Sequence, residues 1–171
     1  MSYSRRSVVA LLACSLTALT VGPALAGGTT VQVSLWDKGG LSMNMMGGTK
    51  PMGMGMGMMG ADMSMVTMGI TADVTEVPAG EVTFQVVNKS KNMIHEMVLA
   101  PVADAATPMP YDADLQRVDE DAAGHLGEVA ELDTGQSGAL TLTLKPGTYI
   151  LYCNIAGHYA AGMWTLLTVT G

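Results

Sequence analysis

The sequence predicts an all-β fold, a Greek-key sandwich of about eight strands, and three observations lead there. Short runs rich in β-branched and aromatic residues alternate apolar with polar positions, the clearest being Ala139-Leu-Thr-Leu-Thr-Leu144. Turn signals such as Pro78-Ala-Gly80 and Lys145-Pro-Gly147 separate these runs. No long segment shows the 3.6-residue period of a strong amphipathic helix. A chain of 171 residues is long enough for one such domain and short of two.

The first 26 residues are expected to lie outside that domain. Arg5-Arg6 form a basic start, Val8 to Val21 an apolar stretch, and Ala24-Leu-Ala26 a small-residue cleavage site, the pattern of an export signal. Ser15, Thr17 and Thr20 interrupt the apolar run, which ends at Gly22-Pro23, so a membrane anchor fits less well. Residues 27–171 then form a single domain with no integral membrane span, placed in the periplasm or otherwise outside the cytoplasm. Losing Arg5 and Arg6 and no acid takes the net charge from −7 to −9. That excludes nucleic acid, whose binding needs clustered Lys and Arg, and suits a cationic partner surface. A monomer is expected.

Along the remaining chain, Thr30-Val-Gln-Val-Ser-Leu-Trp36 alternates and reads as a first strand. An insertion over residues 39–67 breaks the pattern, and methionine fills 11 of the 26 positions from Met43 to Met68. As plain low-complexity sequence it is a flexible loop. As chemistry it is a candidate Cu(I)-gathering loop, because thioethers are soft donors with no proton to lose. Met68 to Val77, the Pro78-Ala-Gly80 turn and Glu81 to Asn88 read as a hairpin. Reversal at that turn predicts that the insertion starts and ends at the same end of the sandwich as His95. Glu96 to Ala100 is the next strand, with Met93, His95 and Met97 on one face and Glu96 on the other. Residues 101–127 are irregular, with the acidic stretch Tyr111 to Ala123 expected as a short helix ended by Gly124. His125 beyond it reads as a solvated loop residue rather than a ligand, and Asp119-Glu-Asp121 as a solvated face rather than a calcium loop. Glu128 to Leu132, Ala139 to Leu144, Thr148 to Asn154 and Trp164 to Val169 complete the strands.

The last two of these strands flank the chemistry. Cys153-Asn-Ile-Ala-Gly-His158-Tyr-Ala-Ala-Gly-Met163 gathers a thiolate, an imidazole and a thioether on one Gly- and Ala-rich loop, and His95 supplies a second imidazole. Soft sulfur suits Cu(I), imidazole suits both copper states, and His₂Cys with a weak axial Met is an electron-transfer ligand set. Cys14 leaves with the signal, so Cys153 is the one cysteine left in an exported protein, where thiols usually pair. Zinc also takes Cys and His but rarely uses methionine and usually wants four strong ligands. Cys with His could form a nucleophile, which would leave Met163 unexplained.

Cys153-x4-His158-x4-Met163 with the upstream His95 resembles the cupredoxin, or blue copper, family. The equal four-residue gaps are most similar to its rusticyanin and sulfocyanin branch, and the similarity runs from about Val31 to Val169. The resemblance implies one type 1 copper held by His95, Cys153 and His158 with Met163 axial. It also implies a non-enzymatic carrier of single electrons for a redox partner protein, cytochrome or oxidase-like. Small neighbours of His158 (Ala156, Gly157, Ala160, Ala161, Gly162) would let that partner approach the imidazole edge. Two positions depart from the family. Glu96 stands where many members have an Asn that hydrogen-bonds to the cysteine loop, and Ala156 where many have Pro. A copper storage, delivery or resistance protein built around the methionine loop is the competing reading. An enzyme fragment is a weaker third, because such enzymes need further copper centres.

Overall fold

The computed structural model describes residues 28–39, 67–103 and 108–171. The expected signal segment and all but the ends of the methionine-rich insertion lie outside them. β1 (Thr29–Asp37), β2 (Met68–Ala72), β4 (Gly80–Asn88) and β9 (Ser137–Leu144) form one sheet in the order β2-β1-β4-β9. β3 (Glu76–Pro78), β5 (His95–Val102), β8 (Gly127–Leu132), β10 (Gly147–Tyr152) and β11 (Trp164–Thr170) form the second, in the order β3-β11-β10-β5-β8. β6 (Tyr111–Asp112) and β7 (Arg117–Val118) make a small separate hairpin. The protein is an all-β Greek-key sandwich, with nine strands in the two main sheets against the eight or so expected.

Alternation places the core. In β4, Val82, Phe84 and Val86 are at most 1% exposed, while Thr83 forms a hydroxyl pair with Thr141 on the outer face. Each such buried side chain contributes about 1.5–3 kcal/mol, which fixes the register of β4 against β1 and β9. β5 is buried on both faces, Met97 and Leu99 towards the main core and Val98 and Ala100 towards a second cluster with Tyr152 and Tyr159. It therefore reads as a continuous apolar run, because one face meets the other sheet and the other is covered by the irregular segment. Two glycines permit close approaches. A Cβ on Gly69 would sit 2.6 Å from the Trp36 ring, and one on Gly138 would sit 2.5 Å from Val129.

Two local expectations need correction. Residues 68–88 do not form a hairpin, because β2 pairs with β1 while β3 joins the other sheet beside β11. The chain changes sheets between them, and Ala79 donates its N–H to Thr170 rather than closing a β3–β4 ladder. The directions survive, since β1 is antiparallel to β2 and parallel to β4. The acidic stretch is also only partly helical, with a strand hairpin before its short helix. Asp112 Oδ1 accepts from the amides of Asp114 and Leu115, and this side-chain turn makes the β6–β7 hairpin. Only α1 (Glu120–Ala123) is helical, capped by Asp119 and by Gly124 at φ 65°.

Candidate metal centre

β10 pairs with β5 antiparallel, Tyr152 opposite Val98, and this register sets the residues following one strand beside the residues opening the other. Cys153 follows β10 directly and His95 opens β5, both 0% exposed. The Glu96 amide donates to Cys153 Sγ at 3.5 Å, tying the two ends together. The loop from Cys153 to Met163 is a run of tight turns. His158 donates its amide to Ile155 O, Ala161 to Gly157 O, Gly162 to Tyr159 O and Met163 to His158 O. Cys153 closes it by donating to Met163 O at 3.1 Å. Gly157 and Gly162 sit at φ 82° and 94°, where a side chain would strain the backbone.

This folding brings His95, Cys153 and His158 together, with their donor atoms all within 4.8 Å of one another. Cys153 Sγ and His95 Nδ1 each lie 3.3 Å from His158 Nδ1. Met163 is fully buried in the same core cluster as Cys153, and its backbone bonds both to that cysteine and to His158. His125 stays apart, in the connection after α1. His158 is 3% exposed, while Ala156, Gly157, Ala160 and Ala161 around it are partly exposed.

The electrostatics fit a cation. Burial pushes the Cys153 thiol up to about 12. Burial, reinforced by the nearby His95, pushes His158 down to about 4. His95 is also lowered by burial, against the opposing effect of Asp37. In neutral solution the metal-free cluster is thus a thiol and two uncharged imidazoles whose ligand atoms converge. A soft cation satisfies all three at once and makes a thiolate favourable there.

Around these donors lies a polar scaffold that the sequence did not announce. His95 Nε2 faces Asp37 Oδ2 at 3.3 Å. Burial would raise the Asp37 pKa, but hydrogen bonds from Ser90, the Gly39 amide and His95 outweigh it and hold it below its usual value. Ser90 Oγ also accepts from the amides of Asn92 and Met93, and Asn88 accepts from the Ser90 amide while donating to Met93 O and Leu132 O. Glu96, placed where the family often has Asn, keeps a tie to the cysteine loop because its carboxylate accepts from the Asn154 amide. Asn154 in turn exchanges hydrogen bonds with the Val118 backbone and donates to Glu120. The Asp37 interaction carried no sequence signal, since a strand-terminal Asp 58 residues from its partner is ordinary.

Residues 71–171 match the family model of the sulfocyanin (SoxE) domain. Auracyanin-B of Chloroflexus aurantiacus is 47% identical over 51 residues, covering 29% of this chain and 22% of that protein. The alignment thus spans well under two thirds of that relative. Rusticyanin from Thiobacillus ferrooxidans superposes with a TM-score of 0.50 at 17% identity, over 84% of this chain and 79% of that one, a likeness of fold. Reduced auracyanin from Roseiflexus castenholzii aligns with a TM-score of 0.46 at 22% identity, covering 85% of this chain and 100% of that chain.

Proposed function

Because the chain belongs to the sulfocyanin (SoxE) family, in the rusticyanin and sulfocyanin branch of the cupredoxins, we propose that it is an exported blue copper protein carrying single electrons between redox partners. His95, Cys153 and His158 are the strong ligands and Met163 the axial thioether. Cupredoxins bind a type 1 copper and act as electron carriers. The observation that carries the reading for this chain is the buried convergence of two imidazoles and one free thiol within 4.8 Å. Bound copper would supply a one-electron Cu(II)/Cu(I) couple there.

The residues of the chain do the rest. β10 pairs with β5 from Val98 to Val102, and His95 at the start of β5 pairs with Leu132 of β8, so His95 and Cys153 are held by laddered strands that would keep one arrangement in both redox states. Burial of all three donors excludes water, and the Glu96 amide stabilises negative charge on Cys153 Sγ. The small side chains beside His158 leave the imidazole within reach of a partner protein through a thin cover. No bond is made or broken, so the protein is a carrier rather than an enzyme. No helix among the described residues is long and apolar enough to cross a membrane. Residues 1–26 act as the export signal and residues 27–171 as one domain.

The test is an absorption spectrum of the copper-loaded protein beside Cys153→Ser. An intense visible band from a Cu(II)–thiolate bond is expected in the parent and lost in the variant, whose sandwich stays folded. A band of equal intensity in both would remove Cys153 from the ligand set.

A second reading, copper handling through the methionine-rich insertion, is favoured by one observation. The strands flanking residues 40–66 end at Asp37 and Met68, opposite one another, and Asp37 touches His95. A methionine loop rooted there could gather Cu(I) beside the site.

A further inference from the structure

We propose that Asp37 is the positioning residue of the metal site: its carboxylate receives the Nε2–H of His95, fixes the ring's tautomer and orientation, and presents the Nδ1 lone pair to the metal. The redox part of this inference rests on the copper reading; the tautomer part stands without it.

The placement follows from the strand pairing. β1 runs parallel to β4, with Leu35 opposite Asn88, so the end of β1 arrives beside the corner that leads from β4 to His95. Lys89 donates its amide to Leu35 O at 2.8 Å and pins that corner. Asp37 then lies with both oxygens engaged. Oδ1 accepts the Gly39 amide at 2.6 Å, and Oδ2 faces His95 Nε2 at 3.3 Å. Ser90 hydrogen-bonds the same carboxylate. The Asp37 and His95 side chains are 1% and 0% exposed, so little water competes for the contact.

An imidazole offers one lone pair when neutral, and a partner on one nitrogen decides which nitrogen offers it. Asp37 has only acceptor oxygens, so it selects Nε2–H and leaves Nδ1 free. Nδ1 is the atom that faces His158 Nδ1 at 3.3 Å, within the cluster of donors. The carboxylate also places a negative charge one imidazole away from the metal, which favours the more highly charged ion. Asp37 therefore both readies the ligand and favours Cu(II) over Cu(I).

The experiment compares the parent with Asp37→Asn and Asp37→Ala. In metal-free protein, long-range ¹H–¹⁵N NMR of the imidazoles is expected to show His95 as a single Nε2–H tautomer with a slowly exchanging ring proton. Both variants should lose that purity, and Asp37→Asn, which conserves shape, keeps the test open if Asp37→Ala does not fold. In copper-loaded protein the variants should bind Cu(II) about 10- to 100-fold more weakly, with a smaller loss for Cu(I), so the reduction potential rises. An unchanged His95 tautomer in both variants, or an unchanged potential in coloured protein, overturns the assignment, because a merely structural aspartate would lower thermal stability without moving either. A parent that never colours with copper, yet changes tautomer on mutation, would sink the copper reading and leave Asp37 in place.

Discussion

Glu96→Gln should change how the stability of the metal-free protein depends on pH. Glu96 is 6% exposed, and burial, with the charges of Glu128, Glu131 and Glu120, raises its carboxyl from 4.5 to about 7. A raised pKa means the folded state holds the proton more tightly than the unfolded chain. The resulting stability is fully present below pH 4.5 and disappears as pH rises through about 7. The interval corresponds to about 3 kcal/mol, to order of magnitude. His158 acts in the opposite sense. Its pKa falls from 6.5 to about 4, so its contribution is present above 6.5 and lost as pH falls through 4. The two slopes partly cancel in the parent protein, and its raw stability curve is a poor readout. The difference between parent and Glu96→Gln isolates the carboxyl, because His158 is common to both. Glutamine can still accept from the Asn154 amide, so any lost contact adds only a constant offset. Urea unfolding of both metal-free proteins from about pH 4.5 to about pH 8 should show the variant gaining about 3 kcal/mol relative to the parent across that range. Parallel curves would refute the argument that Glu96 is buried as a neutral acid.

Two further outcomes follow from the site. Met163→Leu conserves volume and should cost under about 1.5 kcal/mol. It should keep copper and colour and raise the reduction potential, since losing one donor disfavours Cu(II) more than Cu(I); an unchanged or lower potential in a redox titration would take Met163 off the ligand list. If the insertion gathers copper, the mature protein should bind more than one Cu(I) and lose the excess when residues 43–65 are deleted. Equal uptake by both forms would leave the insertion as a spacer or docking surface.

The strands were legible where one face is buried and the other wet. β9 alternates along its length in burial as it does in sequence, and β1, β10 and β11 fall within two residues of the expected runs. Pairing was less legible. Pro78-Ala-Gly80 looks locally like a hairpin turn, yet β3 finds its partner in β11, some 90 residues away. Nothing near Val77 encodes that choice, which burial of Val77 beside Val169 in the core decides. At the site, Cys153 and His158, which the fold brings together, were readable because unusual donors share one loop. His95 was readable through the family likeness. Asp37, Ser90 and Asn88 are common polar residues whose significance exists only once β1 and β4 lie side by side. Glu96, a departure from the family pattern in sequence, keeps a tie to the cysteine loop, because its carboxyl accepts an amide hydrogen bond from Asn154 as an asparagine oxygen could.

The hydrogen bond from the Lys38 amide to Thr67 O, at 2.8 Å, closes the sheet between β1 and β2 at the two ends of the insertion. A flexible segment closed by such a clasp bears on the fold through the entropy of joining its ends. Loop-closure entropy rises only logarithmically, so doubling such a segment costs about 0.6 kcal/mol. By this term changes of length carry little penalty to the fold, while the two ends stay next to Asp37 and thus to His95. Both ends of the insertion are thereby fixed beside the cluster of His95, Cys153 and His158, whatever the sequence between them.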